Sequence, residues 1–572
     1  MPDAATVHER ILPGVVIEDQ YSSLIERLLS EQQQLTAVEQ FSQSYDHAGT
    51  LPEVSHYRQL LPAAPPSKGQ QYAFEVDLDR CSGCKACVTA CHSLNGLDAD
   101  ETWRDVGLLV GGTSSLPVLQ HVTTACHHCL EPACLVACPV NAYEKSPLTG
   151  IVKHLDDQCF GCQYCILACP YEVPKYHASK GIVRKCDMCS ARLAVGEAPA
   201  CVQACPSQAI AIRVVSIESV IEDAEAALFL PAAPDPQITY PTTTYKSQRV
   251  LPRNMLPADY FQVSRQHPHW PLVVMLVLTQ LSVGAFAWGI VLERFVSDGF
   301  SEAVRPLLAT MALVFGLLAL TASVFHLGRP LYAFRAVLGL RHSWLSREIV
   351  VFGLFAALAC LYAGAAVVPS TWPLPPDLIH ILAWGVVVVG ALAVFCSVMI
   401  YASLRREFWD FPRTAVRFAL TSIWLGLATL WFSLAALSVV QPSETSALIV
   451  DAVGPTICWT LMIAAGAKLA WEAMLFRHLL SRAMTPRKRS ALLMTRDLAS
   501  AAVARFALGA LGGIFAPALL LRHFSADNLD IGEIELTITT VLLFGTSLTG
   551  ELLERYLFFA AVAAPRMPGG VR

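Results

Sequence analysis

From about residue 270 the chain becomes a succession of apolar runs, near 270–292, 306–327, 349–368, 378–401, 418–437, 456–475, 499–521 and 535–554. About twenty helical residues suffice to cross the hydrocarbon of a bilayer. One such run could be the core helix of a soluble protein; eight in succession define a membrane-spanning helical bundle. Helices satisfy their own backbone polar groups where no water can. Of the 572 residues, 54 % are hydrophobic and 15 % charged, in keeping with a membrane half. The formal net charge of −5 carries no nucleic-acid signal.

Lysine and arginine are distributed unevenly around these runs. The connections after even-numbered runs and the C-terminal tail hold 17 of them, and those after odd-numbered runs hold 3 (Arg294, Arg305 and Arg522). Basic residues concentrate in cytoplasmic loops. A multi-pass protein of the inner (cytoplasmic) membrane is therefore expected, with both termini and the preceding domain on the cytoplasmic side.

That preceding domain is marked by cysteine. Sixteen of the 19 cysteines lie between Cys81 and Cys205, while Cys360, Cys396 and Cys458 sit singly in apolar runs and read as small buried hydrophobes. The N-terminus, "MPDAATVHERILPG", has neither the apolar core of a signal peptide nor a twin-arginine motif. Export under its own signal is not expected, so reduced, metal-binding thiols are favoured over disulfides.

The sixteen form four groups: Cys81-x2-Cys84-x2-Cys87-x3-Cys91, Cys126-x2-Cys129-x4-Cys134-x3-Cys138-Pro139, Cys159-x2-Cys162-x2-Cys165-x3-Cys169-Pro170, and Cys186-x2-Cys189-x11-Cys201-x3-Cys205-Pro206. An iron–sulfur cube needs four thiolates around one compact centre. A tight turn supplies three, and the fourth cysteine, on the following helix, reaches the other cube of a two-cluster ferredoxin. Gly83 and Gly161 lie within the turns and permit close backbone approach. Zinc ribbons also use Cys-x2-Cys pairs, but zinc has no need of three cysteines in seven residues followed by Cys-Pro. Four full groups predict four [4Fe–4S] clusters, a row of one-electron carriers.

The organisation follows from composition. Residues 1–70 form an arm with one amphipathic helical pattern, "YSSLIERLLSEQQQLTAVEQFSQ". Residues 71–227 form an α+β, double bacterial-ferredoxin-like domain. Residues 228–268, rich in Pro and Thr, read as an extended tether. Residues 269–572 form the all-α eight-helix membrane anchor.

The motifs "CSGCKACVTAC", "CHHCLEPACLVACP", "CFGCQYCILACP" and "CDMCSARLAVGEAPACVQACP" resemble the four-cluster iron–sulfur subunit of dimethyl sulfoxide reductase-type molybdoenzymes. "HWPL" (269–272), "HLGRPLYAFRAVLGLRHSWLSREI" (326–349) and "GELLERYLFF" (550–559) resemble the membrane anchor of the same group. The resemblance covers about three-quarters of the chain, with two subunits fused that are usually separate. It implies nested ligand sets: Cys81, Cys84, Cys87 and Cys205; Cys186, Cys189, Cys201 and Cys91; Cys126, Cys129, Cys134 and Cys169; and Cys159, Cys162, Cys165 and Cys138. Spacing alone leaves this pairing open. The resemblance also implies a separate molybdopterin-binding catalytic subunit, so that this chain carries no catalytic residue of the terminal reaction.

In the resembling anchors a His and an acidic residue serve the menaquinol site, and these map to His326 and Glu348. An imidazole beside a carboxylate can accept the protons that menaquinol or ubiquinol releases on oxidation; the alternative is that both side chains merely snorkel at the interface. Lys468 and Glu472 lie four apart inside an apolar run, as do Glu551 and Arg555; intramembrane charges are functional candidates, and i,i+4 ion pairing is the structural alternative. No haem is expected, because His326 and His380 fall near opposite ends of their helices. The expected function is electron transfer from the quinone pool to a molybdopterin reductase, with two alternatives. One is the electron arm of a formate-type dehydrogenase reducing quinone; the other is a zinc-stabilised membrane scaffold.

Overall fold

The computed structural model describes residues 24–33, 36, 39, 42–43, 54–295, 298–367, 375–440, 444–525 and 533–569. The chain divides into two compact units, residues 1–59 and 60–572. In the first, helix Leu24–Gln33 exposes Leu24, Ile25, Leu28 and Leu29; much of the remaining amphipathic pattern lies outside the described residues.

The second unit begins with small sheets that hold the cysteine loops. β1 (Gln70–Asp77) pairs antiparallel with β8 (Ile210–Ser216), so the two ends of the cysteine region close on each other. β2 (Asp105–Gly112) and β3 (Pro117–Thr124) form an antiparallel hairpin. Two shorter hairpins, β4–β5 (Tyr143–Lys145, Val152–His154) and β6–β7 (Lys175–His177, Ile182–Arg184), flank the third cysteine group. Short helices such as Ala133–Ala137 and Tyr164–Ala168 carry the later cysteines of their groups.

Residues 228–268 do more than span a distance. Thr244–Lys246 forms β9, parallel to β1, and Leu256–Pro257 forms β10, antiparallel to β2. The Thr- and Tyr-rich run "TTTYK" suits a pleated, half-buried strand. Thr239, Thr242, Thr243 and Met255 are buried, and Thr242 Oγ1 donates to the His127 carbonyl at 2.8 Å. The segment is a strap as well as a link.

Among the described residues, eight helices long and apolar enough to span follow: Trp270–Glu293, Val304–Val324, Trp344–Val367, Asp377–Ala402, Phe411–Val439, Ile449–Leu480, Ala499–Arg522 and Glu535–Ala560. The third, fifth and sixth begin several residues before the apolar runs read from sequence, because their first turns carry polar and charged groups such as Arg347, Arg413 and Asp451. The first span is the most enclosed. It meets the fifth through paired glycines; a Cβ built on Gly284 would stand 1.9 Å from the Ser422 carbonyl oxygen and 3.2 Å from Gly426 Cα. Small residues of this kind let spanning helices approach backbone to backbone.

The tail after the eighth span returns to the cysteine domain. Leu108 N donates to Gly569 O at 3.2 Å, and Arg566 pairs with Asp259 at 2.6 Å. Cysteine domain and tail therefore share one end of the bundle.

Candidate functional site

Each cysteine loop bends through left-handed backbone. Gly83 and Gly161 both have φ 75°, and His128 and Met188 occupy the equivalent positions with φ 43° and 61°. After each of the three Cys-Pro pairs the same bend recurs, at Asn141, Glu172 and Gln208. It turns the next amide back onto the sulfur: Ala142 N donates to Cys138 Sγ at 3.2 Å, and Ala209 N to Cys205 Sγ at 3.3 Å. The atoms that crowd the two loop glycines are protein. A Cβ on Gly83 would meet the His121 ring at 2.4 Å, and one on Gly161 the Gly181 carbonyl at 2.2 Å.

The thiols fall into sets by mutual electrostatic influence. Cys81 is in the field of Cys87, Cys205 and Cys84; Cys91 in that of Cys201 and Cys189. Cys134 senses Cys169, Cys126 and Cys129, and Cys165 senses Cys162, Cys138 and Cys159. Neighbouring sets also lie within each other's electrostatic reach: Cys87 senses Cys201, Cys186 senses Cys126, and Tyr143 senses both Cys165 and Cys134. The four sets thus stand in a row. At one end Cys84 is exposed; at the other, Cys138, Cys159 and Cys165 are buried.

This donor chemistry fits iron–sulfur cubes. Burial pushes Cys91 up to about 12, and Cys138 and Cys169 up to about 11, so thiolates here need a positive centre to balance them. Among the described residues no three Cys, His, Asp or Glu side chains converge as the shell of a single ion. A cube binds each thiolate through a different iron, which sets its four sulfurs further apart.

Two buried cations lie along the row. Lys185 Nζ stands 3.5 Å from Cys126 Sγ and donates to the Val152 and Cys186 carbonyls. Arg104, fully buried, donates to Thr123 Oγ1 at 3.1 Å within the field of Cys201, Cys87 and Cys186.

The buried end of the row meets the membrane half. His326, in the turn after the second span, donates from Nε2 to the Cys162 carbonyl at 3.0 Å. His342, before the third span, donates likewise to the Cys138 carbonyl at 3.1 Å, and Ser343 Oγ to Ala137 O at 2.7 Å. Arg329 reaches the Lys180 and Asp156 carbonyls, Arg335 that of Asp157 and Arg406 that of Leu167, so three of the arginines counted in the even loops engage the cysteine domain. Gly181 and Gly328 permit this docking; a Cβ on Gly328 would stand 2.1 Å from Gly181 O.

His326 and Glu348 both border this junction, yet no hydrogen bond or ion pair joins them. The His326 ring meets His269 edge-on at 4.7 Å between centroids. Burial pushes His326 below the ordinary imidazole range against the pull of the Cys162 carbonyl; burial, His326 and His267 hold His269 at about 4. Glu348 is buried in the third span and accepts from Ser397 of the fourth. It lies close enough to Tyr164, inside the third cysteine group, to join burial in raising that phenol. Tyr164 in turn donates to the Ile400 carbonyl at 2.9 Å.

Residues 118–215 match the 4Fe-4S dicluster domain, and residues 264–560 match the DMSO reductase anchor subunit (DmsC). The chain belongs to the DMSO reductase anchor family. In this family member an iron–sulfur electron-transfer half precedes the anchor in one polypeptide. The iron–sulfur half is 37 % identical over 150 residues to the B subunit of anaerobic dimethyl sulfoxide reductase from Haemophilus influenzae, covering 25 % of this chain and 73 % of that protein. It is 38 % identical over 148 residues to YnfG, a probable anaerobic dimethyl sulfoxide reductase subunit of Escherichia coli K12, covering 24 % and 72 %. It is also 34 % identical over 226 residues to hydrogenase-2 operon protein HybA of Escherichia coli O157:H7, covering 35 % of this chain and 66 %, just under two thirds, of that relative. The DMSO reductase-type anchor thus supplies, at its junction with the cysteine domain, three histidines, of which sequence pattern singles out only His326. His269 and His342 sit inside the stretches "HWPL" and "RHSW", and that membership is their only signal in the sequence.

Proposed function

We propose that this chain oxidises quinol at the cluster-side face of its bundle and conducts the electrons singly through four [4Fe–4S] clusters to a separate molybdopterin reductase subunit. The observation that carries the reading is the pair of anchor imidazoles, His326 and His342, bonded to the carbonyls of Cys162 and Cys138, two members of one thiol set. Such clusters supply reversible one-electron transfer over a wide range of potentials.

Cys159, Cys162, Cys165 and Cys138 would hold the cluster nearest the membrane. Cys126, Cys129, Cys134 and Cys169 hold the next, then Cys186, Cys189, Cys201 and Cys91, then Cys81, Cys84, Cys87 and Cys205. The exposure of Cys84 supports the last set as the exit toward the catalytic partner. Because His326 donates from Nε2, its Nδ1 retains a lone pair that can take a quinol proton. Glu348, enclosed with Ser397, is the second acceptor. The two protons leave through these groups while two electrons depart one at a time. The excess of Lys and Arg in the even loops supports a cytoplasmic position for clusters and termini.

Similarity to HybA favours a second reading, in which a dehydrogenase-type partner drives electrons along the same row into quinone. Anaerobic isolation of the full chain with its partner tests both. A molybdenum-bearing large subunit, with about sixteen iron and sixteen sulfide per tagged chain, supports the first. A partner without molybdenum removes the reductase assignment, and iron far below that level removes the four clusters.

A further inference from the structure

The second half of the bundle holds charges that electron transfer does not use. Lys468 and Glu472 on the sixth span, Arg505 on the seventh, Glu551, Glu554 and Arg555 on the eighth, and Arg417 on the fifth are all buried. Lys468 Nζ lies 3.1 Å from Glu551 and 3.5 Å from Glu472, and donates to Thr421 Oγ1 at 2.6 Å. Arg505 forks onto Glu472 at 2.9 and 3.0 Å and reaches Glu551 at 2.8 Å. Arg417 and Arg555 stand 3.6 and 3.5 Å from Glu554. The i,i+4 pair Lys468–Glu472 is thus one edge of a network, and Glu551 serves Lys468 and Arg505 while Arg555 takes Glu554. Four cations face three carboxylates, which leaves one positive charge without a counter-charge in a medium that strongly disfavours it.

The excess points to one opening. Arg417 Nη1 is buried without a hydrogen-bond partner, as are Arg505 Nη1 and Arg555 Nη1; of the three side chains Arg417 is the one that borders a cavity. Arg417 lines a cavity of about 280 Å³ with Arg413, Arg477, Trp471, Met474 and Phe408, and with Glu472, whose two carboxylate oxygens are already engaged by Arg505. This cavity lies where the fifth span begins and the sixth ends. Asp410 on its rim is already shared by Arg413 at 3.3 Å and Arg487 at 3.2 Å. Beside it, Phe411 and Met474 expose large apolar side chains.

We infer that this cavity binds the phosphate of an anionic phospholipid from the leaflet on the cluster side, with Arg417 as the buried donor and Arg413 and Arg477 at the rim. Inorganic phosphate has the same charge chemistry; the apolar wall at Phe411, Trp471 and Met474 selects the lipid. The inference stands independently of the quinol reading.

Native mass spectrometry of the complete complex in mild detergent, titrated with phosphatidylglycerol or phosphatidylcholine, provides the test. One retained phosphatidylglycerol per chain is expected, weakened about fivefold by R413Q or R477Q and kept by R477K. R417Q endangers folding, so the rim variants decide. Equal retention of phosphatidylcholine, or full retention by the R413Q/R477Q double variant, overturns the inference. Binding of inorganic phosphate that displaces the lipid overturns the choice of lipid.

Discussion

The His326 imidazole donates to the carbonyl oxygen of Cys162 at 3.0 Å, across 164 residues of sequence, and so joins the turn after the second span to the third cysteine loop. That one bond fixes the ring's tautomer and leaves Nδ1 as its free acceptor. H326A should slow quinol-driven cluster reduction by about 10²-fold, the scale of a lost acid–base group. Dithionite should still reduce the same preparation fully. H326Q keeps a donor for the carbonyl but has no basic nitrogen to take up a proton, so it should behave like H326A. Normal quinol kinetics in H326Q would remove the proton-accepting role.

Glu348 and Ser397 form a buried hydrogen bond between the third and fourth spans. E348Q preserves shape and removes the negative charge. Quinol oxidation should fall at least about tenfold in this variant with the fold intact, whereas S397A should have a smaller effect. Stopped-flow reduction with a menaquinol analogue, beside a thermal melt in detergent, separates the two outcomes.

Lys185 places an ammonium 3.5 Å from Cys126 Sγ, between two neighbouring thiol sets. A unit charge at such range, at an intermediate dielectric, is worth a few kcal/mol. K185M should therefore lower the midpoint potential of the cluster proposed at Cys126, Cys129, Cys134 and Cys169 by on the order of 100 mV. Potentiometric EPR reads this directly. An unchanged set of potentials would mean that the lysine only braces the Val152 and Cys186 carbonyls.

Gly284 leaves no room for a methyl group against the Ser422 carbonyl. G284A should destabilise the bundle by about 1–3 kcal/mol, the usual cost of overpacking. The substitution G353A, at a position with open space, is its control. Differential melting in detergent compares them.

E551Q should cost more, about 3–5 kcal/mol, because Lys468 and Arg505 both rest on that carboxylate. A melt indistinguishable from the wild type would mean that water reaches the network.

Much of the architecture was legible in the sequence because bilayer thickness imposes a length on every span, and eight runs met it. Span ends were less legible: helices continue through Arg413 and Arg417, where apolar length no longer reports them. The cysteine groups could be read because three-plus-one spacing is local. What spacing could not reveal were the contacts of Lys185 with Cys126 and of His342 with Cys138, which cross 59 and 204 residues of chain. The strap role of residues 228–268 was hidden for a related reason. A Pro- and Thr-rich run looks unstructured until a partner strand is known, and here the partner is β1, far upstream.

That strap bears on stoichiometry. Val250 is almost fully exposed between β9 and β10, each of which is hydrogen-bonded into the cysteine domain. A single cleavage there would leave both new ends tethered by their own strands, with the tail at Gly569 as a third attachment. Two separately made polypeptides could assemble through the same contacts. What the continuous chain adds is a fixed one-to-one ratio of wire to anchor, set by translation instead of by the relative abundance of two products.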